Sequence, residues 1–202
     1  MLPENAITIY NIRSELPSDL RNLTAASLLA AIEEAQAGYT ANLFAIYRDL
    51  IASDNQLQSE FAKRKWAVTG DTVSIQPWDK NSHLDVATKD ICAPLLDSAV
   101  FNDACAWLLN GTLYPVAVVE KVYRQTPDGF KIKSLIPVPY RLLDYRDGIL
   151  KIFDTDKDGT VLPTTHIADP ARYIVHRGHT LPIPDTWGGP MRSILFWVLL
   201  RT

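Results

Sequence analysis

The stretch that decides the fold is YPVAVVEKVYRQTPDGFKIKSLIPV, residues 114–138. Two runs rich in valine, isoleucine, tyrosine and phenylalanine flank Pro127-Asp128-Gly129. Proline presets φ for a turn and glycine supplies positive φ, so the segment predicts an antiparallel hairpin. The same grammar repeats downstream. YRLLDYR and ILKIFDT are separated by Asp147-Gly148, and ILKIFDT and TVLPT by Lys157-Asp158-Gly159. RYIVHR adds a last short strand. Consecutive hairpins favour an antiparallel sheet over a βαβ array.

Upstream the period changes. LTAASLLAAIEEAQAG (residues 23–38) is alanine- and leucine-rich, with Thr24 placed to cap it and Gly38 suited to a left-handed end. The pattern restarts at Thr40, where Leu43, Ile46, Tyr47, Leu50 and Ile51 fall at three-and-four spacing and mark one buried helical face. Asp54 is placed to cap a third helix carrying Leu57 and Phe61. WAVTGDTVSIQPW (residues 66–78), with its Gly-Asp pair, reads as a short hairpin. A helical region begins at Ser82 and contains Pro94, which should kink or split it. A further helix is expected from Ala99 to Asn110, stopped by Gly111. The fold class is therefore α+β: N-terminal helices, an antiparallel hairpin-rich sheet, and an apolar terminal helix. Residues 1–21, with Pro3 and Pro17, read as an arm preceding one domain over 22–202.

That terminal helix is unusual. In WGGPMRSILFWVLLRT, Pro190 suits a first helical turn, and seven apolar residues then run unbroken from Ile194 to Leu200. On a helix seven residues cover every face, so the run calls for burial on every face. It is far short of the ~20 residues a membrane span needs. Ile194, Leu195, Trp197, Val198 and Leu199 are expected to pack against another subunit or a further part of the protein. The chemistry of the run implies an element cut short at Thr202 or covered by another chain.

Bulk composition excludes little. The chain has 202 residues, 47% of them apolar, and a net charge of -3, so nothing in the total charge demands nucleic acid or an anionic membrane. Cys92 and Cys105 form no Cys-x-x-Cys pair and read as reduced thiols. The start shows no basic stretch followed by an apolar run, so no signal peptide and a cytoplasmic site of synthesis are expected.

Two segments invite a metal reading. DTDKDGT (residues 154–160) places Asp154, Asp156 and Asp158 at the first three ligand positions of a calcium loop, with Gly159 at the sixth. The twelfth position, which should be a bidentate Glu, is Thr165, and Pro163 obstructs an exiting helix. The segment therefore reads as a hairpin tip, where acids are soluble and precede a glycine, with a calcium-binding module the alternative. His176 and His179 stand three apart, with Asp185 the nearest carboxylate, as a metal-dependent hydrolase could use them. They read as one strand-end and one loop histidine, with the metal-dependent hydrolase the alternative. No G-x-x-x-x-G-K-[ST], G-x-G-x-x-G or G-x-S-x-G motif occurs, so no cofactor and no nameable catalytic set is expected. Lys63-Arg64-Lys65 suits a helix C-terminus, and Lys121, Arg124, Lys131 and Lys133 suit a solvated hairpin face, with phosphate contact the alternative.

The order of these segments resembles the N-terminal part of Mu-type phage portal proteins. The opening helices match with Asp54, Leu57, Ser59, Arg64, Ala67 and Val68, followed by VSIQPW. LLDSAVFNDACAWLLNGTLYPVAVVEKVY follows with Gly111, Glu120 and Tyr123 in place, then ARYIVHR and the WGGPMRSILFWVLLRT helix. The resemblance implies a wing-like part of a structural, non-enzymatic ring oligomer, typically of about twelve subunits, at the portal vertex of a virion and in the host cytoplasm during assembly. It implies capsid protein, terminase and tail connector as partners, no membrane, and DNA passing through the channel without sequence specificity. Stem, clip and tunnel-loop parts would lie downstream.

Overall fold

The computed structural model describes residues 23–96, 98–127, 129–178 and 188–199, with the side chains of Val198 and Leu199 outside the description. The expected arm over residues 1–21 lies outside the described residues. Five helices precede the strands: α1 (Ala25–Gln36), α2 (Ala41–Ser53), α3 (Asn55–Thr69), α4 (His83–Leu96) and α5 (Ala99–Leu108). Six strands follow: β1 (Val116–Thr126), β2 (Gly129–Pro137), β3 (Leu143–Asp144), β4 (Lys151–Thr155), β5 (Val161–Ile167) and β6 (Tyr173–Arg177). Helix α6 (Pro190–Leu199) closes the described chain. The fold is α+β, as the hairpin grammar predicts.

The helix starts follow the local chemistry. The Thr24 hydroxyl accepts from the Ser27 amide while Ser27 accepts from the Thr24 amide, a reciprocal cap. Asp54 accepts from Leu57 N and Ser98 from Phe101 N at the starts of α3 and α5. Gly38 ends α1 at φ +98°, and it is irreplaceable for a second reason. A Cβ there would lie 2.6 Å from the backbone of Tyr145 and Arg146. The turn between α1 and α2 thus seats directly on the segment following β3.

The strands form two three-stranded antiparallel sheets, in the orders β2-β1-β6 and β3-β4-β5. This corrects the expectation of one run of hairpins. After β5 the chain turns at Asp169–Arg172 and pairs β6 with β1 instead of continuing beside β5. Strand β1 is the reason: Val116, Ala117, Val118 and Val119 are all buried, and a strand apolar on both faces needs neighbours on both edges. Its distal half is polar and emerges into solvent with β2.

One hydrophobic core joins α1, α2, both sheets and α6. Phe44, Tyr47, Tyr114 and Tyr140 meet in it, with Tyr114 stacked on Tyr140 at 4.2 Å between centroids. Leu43, Tyr47 and Leu50 lie at its centre as their spacing predicts, and Ile46 and Ile51 pack at its edge.

Three further expectations fail for physical reasons. Residues 66–78 form no hairpin. Helix α3 runs on through Thr69 and the segment to Ser82 contains no strand, since Val73 to Ile75 find no ladder partner. Pro94 neither splits nor ends α4, because it falls in the last turn. Helix α5 does not stop at Gly111 but tightens into a 3-10 turn over Leu109–Thr112.

Candidate functional site

Three places in the fold gather the polar and exposed apolar residues: a polar seam between the two sheets, the seat of the terminal helix, and exposed apolar residues on α3, on α4 and in the loop between them.

The seam begins at Glu120, the last fully buried residue of β1, where a carboxylate would be costly without a partner. Arg172, in the turn before β6, supplies it: Nε and Nη2 both reach Glu120 Oε1, at 2.8 and 2.7 Å. The same turn is held twice more. Lys121 Nζ donates to the Pro170 carbonyl at 2.6 Å, and the Tyr123 hydroxyl donates to the Ala171 carbonyl at 3.0 Å. Glu120 and Tyr123 therefore share one role, fixing the crossover that brings β6 back to β1. Sequence reading missed Arg172. Its only signal is that Glu120 sits in a valine-rich strand and needs a cation from elsewhere.

Beside this clamp, Asp154 of β4, His166 of β5 and Tyr173 of β6 form a chain of hydrogen bonds. His166 Nδ1 lies 2.8 Å from Asp154 Oδ1, and Nε2 lies 2.6 Å from the Tyr173 hydroxyl. The Thr164 side chain, then His166, hold the Asp154 carboxyl below the usual carboxylate range. Burial, reinforced by the nearby Glu120 charge, pushes the Tyr173 phenol well above its ordinary value. A phenol so held keeps its proton at neutral pH, leaving a fixed chain of hydrogen bonds. What it does is join the second sheet to the first.

This accounts for much of the DTDKDGT loop. Asp154 is turned to His166, and Asp156 Oδ1 accepts from the amides of Asp158 and Thr160, closing its own turn. Gly159 takes φ +80° at the tip. Of the His176, His179 and Asp185 set, only His176 is described. Its Nδ1 lies 2.6 Å from the Leu108 carbonyl, which ties β6 to the end of α5. His179 and Asp185 lie outside the described residues. Among the described residues no group of three or more His, Cys, Asp or Glu could hold a metal ion.

Gly111 has a steric role: a Cβ there would meet His176 Nδ1 at 2.9 Å. Gly189 plays the same part for α6. It sits at φ +84°, where a Cβ would come within 2.7 Å of the Leu113 carbonyl. That carbonyl accepts from Met191 N at 3.3 Å, so α6 starts docked on the chain leading into β1. Met191 and Leu195 are buried and Ile194 packs at the core edge. Phe196 and Trp197 are exposed, Trp197 at 69%. Among the described side chains of α6, one side belongs to the chain's own core and Phe196 and Trp197 are open.

The third place is larger. Trp66 and Val68 of α3, Trp78 in the following loop, and Leu84 and Ile91 of α4 are all more than half exposed, Trp78 at 99%. Helix α4 contains no buried residue. No helix among the described residues is long and apolar enough to cross a membrane. Open apolar residues in such number are characteristic of surfaces that meet a partner.

The features brought together are thus steric and adhesive: a clamped crossover, two close-packed glycines, and open aromatic faces. No curated protein matches the chain. A family model described as the portal protein of Mu bacteriophage matches residues 44–202, well over half of the chain, from the first turn of α2 through α6. The chain belongs to the family of the portal protein of Mu bacteriophage.

Proposed function

We propose that the chain is the wing-like part of a portal subunit, assembled as a ring at one capsid vertex through which DNA enters during packaging and leaves during ejection. The family match over residues 44–202 carries this reading. In it the protein is a scaffold with no catalytic residue, and its partners are further copies of itself, capsid protein, the packaging terminase and a tail connector. Its place is the portal vertex of the virion, reached from the host cytoplasm. DNA slides through such a channel, so binding should be free of sequence preference. The near-neutral charge of -3 suits sliding, since a strongly basic lining would grip phosphate.

The open side of α6 fits the same reading. Phe196 and Trp197 are more than half exposed among the described residues, and in this reading a neighbouring copy packs on them. Native mass spectrometry and negative-stain imaging of the purified chain test the proposal. A closed ring with a central opening is the expected result. A strict monomer at several hundred micromolar would sink it.

A further inference from the structure

Two surfaces of the chain carry exposed apolar residues and opposite charge. The first is the outer side of α4 with the loop before it. Leu84 and Ile91, seven residues apart, share one helical face and are 76% and 71% exposed. Trp78 is tied beside them because the Asp79 amide donates to Asp85 Oδ2 at 3.0 Å. Residues 71–91 carry Asp71, Asp79, Asp85 and Asp90 against Lys80 and Lys89, an excess of acid on this segment, with Lys89 paired to Asp90 at 2.9 Å.

The second surface is the distal half of the β1–β2 hairpin. The register pairs Tyr123 with Ile132 and Gln125 with Phe130, which places Tyr123, Ile132 and Phe130 on one face. Phe130 is 60% exposed. Arg124 and Lys131 are paired on the other face, and Lys133 falls at the irregularity between Val122 and Tyr123. Residues 121–133 hold Lys121, Arg124, Lys131 and Lys133 against Asp128 alone. β2 is an edge strand, with β1 on one side only.

Helix α5 stands between the two. Phe101, Asn102 and Cys105 line a cavity of about 360 Å³ against the end of α3 and Leu96 of α4. Trp107, well round the helix from them, donates its Nε1–H to the Val118 carbonyl of β1 at 2.9 Å. The stem of the hairpin and α4 therefore pack on different sides of α5.

We propose that the acidic, apolar face of α4 and its preceding loop receives the basic, aromatic β1–β2 hairpin of a second copy of this chain. Tyr123, Ile132 and Phe130 face the acceptor, the basic charge of the same hairpin sets the orientation, and the open indole of Trp78 offers a seat for the Phe130 ring. Donor and acceptor are different patches, so the contact is heterologous: it repeats head to tail and closes into a ring when the rotation allows. The proposal rests on the ring reading above and assigns its surfaces.

Two variants test it by sedimentation velocity of the full chain. Arg124→Glu with Lys133→Glu spoils the donor, and Asp90→Lys with Ile91→Lys spoils the acceptor. All four side chains are exposed, and unchanged circular dichroism melts confirm folding. Phe130→Ser is a second donor variant if the charge reversal misfolds. Each variant alone is expected to weaken association at least about tenfold. Mixing a donor-dead with an acceptor-dead chain is expected to give a discrete one-to-one dimer, since the pair retains one intact contact. Wild type that associates while every variant associates equally would overturn the surface assignment and leave the ring reading standing. A mixture that stays monomeric would overturn it likewise. Wild type that is monomeric throughout would overturn both.

Discussion

Helices α2 and α4 are nearly equal in length, 13 and 14 residues, yet α2 buries Leu43, Phe44, Tyr47 and Leu50 and α4 buries nothing. The difference lies in how each arranges its apolar residues. Those of α2 fall at i, i+1, i+4 and i+7, one face wide enough to fill the space beneath β1 and the Tyr140 turn. Those of α4 are scattered around the helix: Leu84, Val86, Ile91, Cys92, Leu95 and Leu96, with Asp85 and Asp90 among them. A helix of the first kind is completed by its own chain. A helix of the second kind spends its apolar surface in more than one direction and leaves part of it for a partner.

The largest expected effect breaks the first helix. Phe44→Ala removes a buried ring that touches Tyr47, Tyr114 and Tyr140, and should cost about 3–5 kcal/mol in urea unfolding. A loss below about 1 kcal/mol would mean that the aromatic cluster is not the centre of the core. Next comes Gly38→Ala, which demands an unfavourable φ and drives a methyl into the backbone of Tyr145 and Arg146. It should cost about 2–3 kcal/mol. Gly148→Ala is the control: φ is +72° but a Cβ there meets nothing within 4 Å, so about 1 kcal/mol is expected. Equal losses at the two glycines would show that conformation, not close approach, decides Gly38.

Acid titration sharpens the contrast further. In Asp144 burial works to raise the pKa, and the hydrogen bonds and charge of Arg146 outweigh it, so the carboxyl sits below its ordinary value. Asp154 is lowered as well, by Thr164 and His166. With both folded-state values depressed, the unfolded chain binds more protons in acid than the folded one does. The stabilisation is therefore complete at neutral pH, begins to fade near the ordinary aspartate value of about 4, and is lost as pH falls through the folded values. Melting midpoints between pH 7 and pH 3 should fall at the acid end, and Asp144→Asn should flatten that fall. An unchanged slope in the variant would remove Asp144 from the account.

The hairpins and helix caps were legible because their causes are local: Thr24, Asp54, Gly129, Gly148 and Gly159 each act on the few residues beside them. The division into two sheets was not. It depends on Arg172 reaching Glu120, a pair 52 positions apart that no periodicity reveals. The apparent hairpin at residues 66–78 misled for the opposite reason. Its turn chemistry was sound, but a strand also needs a partner edge, and the local pattern carries no information about one. The recurring glycines at 111 and 189 were visible as residues, while the carbonyl and imidazole that forbid a Cβ there belong to distant parts of the chain. The seat of α6 was half legible: the apolar run marked contact, but which residues turn inward depends on where Gly189 lets the helix begin.

The smallest expected effect tests α4 itself. Leu84→Ser and Trp78→Ala remove large apolar groups, yet both side chains are open to solvent, so neither should change unfolding free energy by more than about 0.5 kcal/mol. That near-silence is informative only beside Phe44→Ala, since an exposed leucine kept for folding would register in the same measurement. If Leu84→Ser costs more than 1 kcal/mol, α4 is part of the chain's own core and the division between the two helices fails. If it costs nothing while self-association falls, the apolar surface of α4 acts only between chains. Two helices of one length would then hold the two halves of assembly: α2 makes the subunit rigid, and α4 presents what the rigid subunit offers to its neighbour.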